Sequence, residues 1–115
     1  MPLLKLQTSV SVPAEKEEDL LKQLSRAVSE AIGKPEQYVM VTLDTGSILM
    51  GGKREPAAFI DLRSIGGLGG EVNRKISGRV STILGQELDI PSDRIYITFI
   101  ELEASDWGYN GSTFG

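Results

Sequence analysis

PEQYVMVTL at residues 35–43 and PSDRIYITFI at residues 91–100 read as one phrase written twice: a proline, a short polar step, then a run of β-branched, aromatic and other apolar residues. Pro35 and Pro91 are separated by the same offset as Val39 and Ile95, the first apolar residues of the two following strands, read as YVMVTL at 38–43 and RIYITFIEL at 94–102. A proline disfavours helix in the residue before it, and the apolar run behind it fits a strand. Upstream of Pro35, Leu20, Leu21, Leu24, Ala27, Val28, Ala31 and Ile32 recur at helical spacing and end at Gly33, a residue suited to a helix C-terminus. Upstream of Pro91, Val72, Ile76, Val80, Ile83, Leu84 and Leu88 make a second such stripe. Each helix follows a strand-like stretch, LLKLQTS at 3–9 and AAFIDL at 57–62. The chain is therefore an internal repeat, about 2–50 and 57–103, with a C-terminal segment at 104–115 whose Asn110-Gly111 signals a two-residue hairpin.

Two tandem β-α-β units in one domain spanning 1–115 predict an α/β (α+β) fold. A strand that returns through a helix pairs in parallel, so the simplest assembly is a four-stranded mixed sheet with two helices on one face. YVMVTL (38–43) and IYITFI (95–100) are apolar at nearly every position, the pattern of strands covered on both faces. The helices cover only one face. The economical cover for the other is a further copy of the chain, which predicts an obligate homo-oligomer.

Composition narrows the chemistry. With 12 Lys+Arg against 16 Asp+Glu and a net charge of −4, the chain has no basic footprint for nucleic acid or an anionic membrane. It has no cysteine and no histidine, which removes thiolate nucleophiles, disulfides, cysteine-bound zinc and the commonest general base and metal ligand. Catalysis must use an amine, a carboxylate or a phenol. The start MPLLKLQTSV lacks a basic region followed by an apolar one, and no apolar run is long enough to span a bilayer, so the expectation is a soluble, cytoplasmic protein.

A few residues stand out against that background. Removal of Met1 would leave Pro2 as a free secondary amine, and an α-amino group titrates at roughly 7.7–8.0, far below lysine. SIGGLGG at 64–70 joins a strand to a helix. It lacks the spacing of a nucleotide loop, and reads as a tight turn or as a place where a small anion meets backbone N–H groups near Ile65. Lys34 follows the first helix, where a cation suits the dipole. Tyr96 lies in an aliphatic strand and reads as core, or as a phenol at a site. EKEED at 15–19 is a solvated acidic helix start without metal-ligand spacing. Trp107, Tyr109 and Phe114 crowd the last nine residues, an unusual density for a fraying tail.

Pro2, GKP at 33–35, Gln37-Tyr38, GG at 51–52, EP at 55–56, SIG at 64–66, GG at 69–70, NR at 73–74, DRIYI at 93–97 and NGSTF at 110–114 together closely resemble the macrophage migration inhibitory factor family of the tautomerase superfamily. The resemblance implies a homotrimer whose sheets wrap a central channel, with active sites between subunits and neither cofactor nor metal. It implies that Pro2 is the base interconverting keto and enol forms of aryl 2-keto acids such as phenylpyruvate. By the same resemblance Lys34 and the N–H of Ile65, with Ser64 beside them, hold the substrate carboxylate. Tyr96 comes from a neighbouring subunit, Thr98 lies beside the pocket, and Tyr38, Trp107, Tyr109 and Phe114 wall the aryl ring. The alternative it implies is a cytokine-like module that recognises a receptor and keeps a vestigial pocket.

Some positions depart from the family's best-known animal member. Ala57 and Ile60 occupy the places of its CxxC, which excludes thiol–disulfide chemistry. Trp107, Tyr109 and Thr98 differ beside the pocket and bear on substrate range. Ile100 replaces a channel tyrosine, and Ser11-Val12-Pro13 lacks an arginine linked to receptor mimicry, which weakens the cytokine-like alternative.

Overall fold

Alternation along the first strand sets the layers. In β1 (Leu3–Thr8), Leu4, Leu6 and Thr8 are buried while Lys5 and Gln7 are exposed, as expected of a strand with one covered face. The computed structural model describes residues 1–115. It places α1 (Ala14–Ile32) between β1 and β2 (Met40–Thr45), and α2 (Gly70–Leu88) between β3 (Ala58–Ser64) and β4 (Ile95–Glu101). The sheet runs β2-β1-β3-β4. The outer pairs β1–β2 and β3–β4 are parallel, and the central pair β1–β3 is antiparallel. Each sequence repeat is thus a parallel β-α-β unit, and the two units meet through their first strands.

Leu4, Leu6, Ile60 and Leu62 from the sheet pack with Leu20, Leu24 and Val28 of α1 and Ile76, Val80 and Leu84 of α2, all no more than 2 % exposed. Both helices terminate on left-handed residues, Gly33 at φ 77° and Asp89 at φ 56°. The buried Thr8 hydroxyl is paired: it donates to the Ala57 carbonyl at 3.0 Å and accepts the Val10 N–H at 3.1 Å.

The polar step after each proline is one turn of 3-10 helix, Glu36–Tyr38 and Ser92–Arg94. Sequence reading began both strands too early, at Tyr38 and Arg94, because apolar or β-favouring residues in the turn resemble strand. Tyr38 is thereby lifted out of β2 and hangs at its entrance. Arg94 has a different use: its guanidinium donates to the carbonyls of Met50, Lys53, Glu55 and Pro56 at 3.0–3.1 Å, tying the loop before β3 to the start of β4. Small boundary shifts occur elsewhere, with β1 ending at Thr8 and β3 running on to Ser64.

The sheet face away from the helices is mixed. Phe59 and Tyr96 stand opposite each other across β3–β4, as do Arg63 and Ile100. Met40, Phe59, Tyr96 and Ile100 are all exposed there, Tyr96 to 65 %, while Lys5, Gln7, Asp61 and Arg63 put polar groups along the two central strands. The expectation of near-continuous apolar strands therefore needs refining: β2 and β4 contribute apolar groups to the open face, but Thr42 and Thr98 interrupt them. No helix is long and apolar enough to cross a membrane.

Candidate active site

A cavity of about 540 Å³ opens at the head of β1, within the size range of small-molecule sites. Met1, Pro2 and Leu3 form its floor, Gln37, Tyr38, Val39 and Met40 one side, and the C-terminal segment the other. The last wall exists because Asn110-Gly111 turns with both residues at positive φ, 52° and 78°, the conformation a type I′ hairpin requires. That turn pairs β5 (Gly108–Tyr109) with β6 (Ser112–Thr113), and the Phe114 N–H donates to the Trp107 carbonyl at 3.2 Å. Tyr109 and Phe114 stack with centroids 4.9 Å apart, and Tyr38 meets both edge-on at 6.0 and 6.4 Å. Trp107 lines the same cavity. Such an arrangement offers ring faces and edges to a flat aromatic ligand.

Pro2 is buried, and its carbonyl accepts the Met40 N–H at 3.0 Å, which joins the chain start to β2. The amino group that begins the chain, here on Met1, has its pKa lowered. Burial is the main cause, followed by the positive charge of Lys34 and hydrogen bonding with its side chain. All three effects disfavour the ammonium and leave more neutral amine near neutral pH.

Lys34 is held in place from two directions. Its ammonium donates to the carbonyl of Ile65, and its own carbonyl accepts the Ser29 hydroxyl at 2.7 Å. Gly67, at φ 80°, lies against this corner: a Cβ there would come within 2.7 Å of Ile32 Cγ2 and 3.4 Å of Lys34 Cε. Only glycine combines that backbone conformation with that proximity. The glycine loop thus functions structurally as a spacer for Lys34. Two of its N–H groups are taken internally, Leu68 donating to Glu101 Oε1 at 3.0 Å and Gly69 to Asn73 Oδ1 at 3.2 Å.

The residues expected at a site fall into three groups. Pro2, Tyr38, Trp107, Tyr109 and Phe114 share the cavity. Lys34 and Ile65 are bonded to each other beside the chain start. Ser64 is fully buried on the helix-facing side of β3, with no hydrogen-bond partner for its hydroxyl, and Tyr96 and Thr98 project from the open face of β4, the strand at the opposite edge of the sheet from β2. A single chain does not bring Tyr96 or Thr98 to the cavity. The sequence reading missed Arg63, which lines the cavity. Its signal was present in AFIDLRS, where strand periodicity puts Phe59, Asp61 and Arg63 on one face, and the β1–β3 register then sets Arg63 opposite Leu3.

The same fold occurs in known proteins. The sequence pattern described as macrophage migration inhibitory factor matches residues 1–115. A macrophage migration inhibitory factor homolog of Trichuris trichiura is 45 % identical over 108 residues, covering 92 % of this chain and 95 % of that protein. Among solved structures, a macrophage migration inhibitory factor-like protein from Entamoeba histolytica aligns with a TM-score of 0.94 at 34 % identity, covering 98 % of each chain. A homologue from Prochlorococcus marinus aligns with a TM-score of 0.93 at 41 % identity, covering 98 % of this chain and 99 % of that one.

Proposed function

This chain belongs to the macrophage migration inhibitory factor family, within the tautomerase superfamily, and we propose that it is a cofactor-independent keto–enol tautomerase of phenylpyruvate-type acids, with Pro2 as general base. The carrying observation is the environment of the chain start: an amine whose pKa burial and Lys34 push down, at the floor of an aromatic cavity. With Met1 removed, the terminal amine is the secondary amine of Pro2, which is itself buried and lines the same cavity. A base with a pKa near the working pH is the most effective proton carrier.

In the proposed reaction the neutral amine takes a proton from the carbon next to the substrate carbonyl. The electron pair left behind forms the carbon–carbon double bond, the carbonyl oxygen takes up a proton, and the enol results; ketonisation runs the same steps backwards. Lys34 and the N–H of Ile65 anchor the acid group, with Ser64 behind them at the end of β3. Holding that group fixes the reacting carbon near the nitrogen. The aryl ring packs on Tyr38, Trp107, Tyr109 and Phe114.

Assembly completes the reading. The exposed Met40, Phe59, Tyr96 and Ile100 support a homo-oligomer, and we take it to be a trimer in which Tyr96 and Thr98 of one subunit reach the cavity of the next. There the Tyr96 hydroxyl donates a hydrogen bond to the reacting oxygen.

The test uses protein whose first residue is verified as Pro2 by mass spectrometry. It should accelerate ketonisation of enol phenylpyruvate, and Pro2→Gly should slow it by about a hundredfold to ten-thousandfold, the usual contribution of a positioned base. No acceleration by the wild type, or an unaltered rate in the variant, would sink the proposal. Family membership is equally consistent with a signalling or protein-binding role; that role predicts a partner whose binding survives Pro2→Gly.

A further inference from the structure

The loop that follows β3 is tied at both ends and in its middle, and the middle tie comes from another strand. At its start the Ile65 carbonyl accepts the Lys34 ammonium. At its end Gly69 and Asn73 bond each other reciprocally, the Gly69 N–H donating to Asn73 Oδ1 at 3.2 Å and the Asn73 N–H to the Gly69 carbonyl at 2.8 Å. Between them the Leu68 N–H donates to Glu101 Oε1 at 3.0 Å. The N–H groups of Ile65, Gly66 and Gly67 have no partner in the chain.

Register explains why Glu101 reaches the loop. Strands β3 and β4 are parallel and end together, with Ser64 opposite Glu101, and the Leu102 N–H extends the ladder to the Ser64 carbonyl at 3.0 Å. Alternation along β4 puts Glu101 on the side of the buried Ile95, which faces the helices. The loop leaving Ser64 for α2 therefore passes within reach of its carboxylate. A carboxylate that accepts a backbone N–H makes one of the stronger hydrogen bonds. Placed near an anion subsite it also repels the ligand, so its tie and its charge act in opposite directions.

We propose that Glu101 is a positioning residue of the acid-group anchor: by holding Leu68 it fixes the loop in the shape that leaves the Ile65 N–H free beside Lys34. It touches no ligand itself. This rests on the anchor of the proposed tautomerase at Lys34 and Ile65, but it is tested by binding and needs no turnover.

The probes are 3-phenylpropanoate, which has no keto group to react, and 3-phenylpropanamide, each titrated calorimetrically into Met1-free protein. The wild type should bind the acid more tightly than the amide. Glu101→Ala should cut that preference by about threefold to tenfold, the size of one hydrogen bond, and leave the amide affinity unchanged. Glu101→Gln keeps an acceptor and loses the charge, so it should retain the preference or exceed it. Circular dichroism checks the fold of both variants. A carboxylate acting only through its charge would weaken acid binding, so a preserved or increased preference in folded Glu101→Ala overturns the proposal. So does a loss in Glu101→Gln as deep as in Glu101→Ala, an equal loss of affinity for both probes, or a wild type that binds the two probes equally. Failure of the tautomerase proposal would appear elsewhere, as absent ketonisation of enol phenylpyruvate with the acid preference intact.

Discussion

The two faces of the sheet are made from the same strands and obey different rules. On the helix side, Leu4, Leu6, Ile60 and Leu62 meet α1 and α2 with almost no exposed surface. On the other side, apolar groups on the outer strands flank a polar middle of Lys5, Gln7, Asp61 and Arg63, and the cavity lies at one end. Alternation in β3 puts Leu62 in the first environment and its neighbour Arg63 in the second. The difference teaches that the fold depends on one face, while the other is available for assembly and ligand chemistry.

The largest expected effect tests that division directly. Leu62→Ala should destabilise the chain by about 2–5 kcal/mol, whereas Arg63→Ala, a surface change beside it, should cost about 1 kcal/mol or less in chemical denaturation. Equal losses would break the contrast between the faces. Phe59→Asp comes next. It should leave the circular dichroism of the chain near native but convert the oligomer to smaller species in sedimentation, since burying an unpaired charge in an interface costs on the order of several kcal/mol. An unchanged assembly would mean that this part of the open face is solvated.

Gly67→Ala should cost about 1–3 kcal/mol, from the positive φ and the crowding of Ile32. Because Lys34 is the other neighbour, the same variant should alter the pH profile of catalysis, and a stability loss with an identical profile would separate the loop from the amine. The smallest effect concerns Lys34 alone. Its charge lowers the pKa of the amine that begins the chain, so Lys34→Ala should raise that pKa and move the acid limb of kcat/KM to higher pH. A shift to lower pH would contradict the electrostatic role. Burial, the larger cause, remains in the variant, and a depressed amine pKa should therefore persist in part.

Much of the fold was legible because periodicity is local. The stripes from Leu20 to Ile32 and from Val72 to Leu88 identify two helices, and the repeated proline phrases identify β2 and β4. The boundary errors at Tyr38 and Arg94 arose where a 3-10 turn carries residues that also suit a strand. The site was legible in part. Asn110-Gly111 announced the hairpin, and that hairpin brings Tyr109 and Phe114 against Tyr38. Arg63 was passed over because a lone arginine at the end of a strand looks like a solvated charge until its strand partner is known.

The sequence by itself determined which residues form helices and strands, which sides of those elements are apolar, and that an amine, not an imidazole or thiol, is available as a base. These follow from residue chemistry and from periods of 3.6 and 2, which need no distant information. Only the tertiary structure decided that β1 and β3 run antiparallel with Leu3 opposite Arg63, that Lys34 turns to Ile65 beside the chain start, and that Tyr96 and Thr98 point away from the cavity of their own chain. Those outcomes depend on register between segments far apart in sequence. Periodicity assigns a side chain to a face, and pairing assigns it its neighbours.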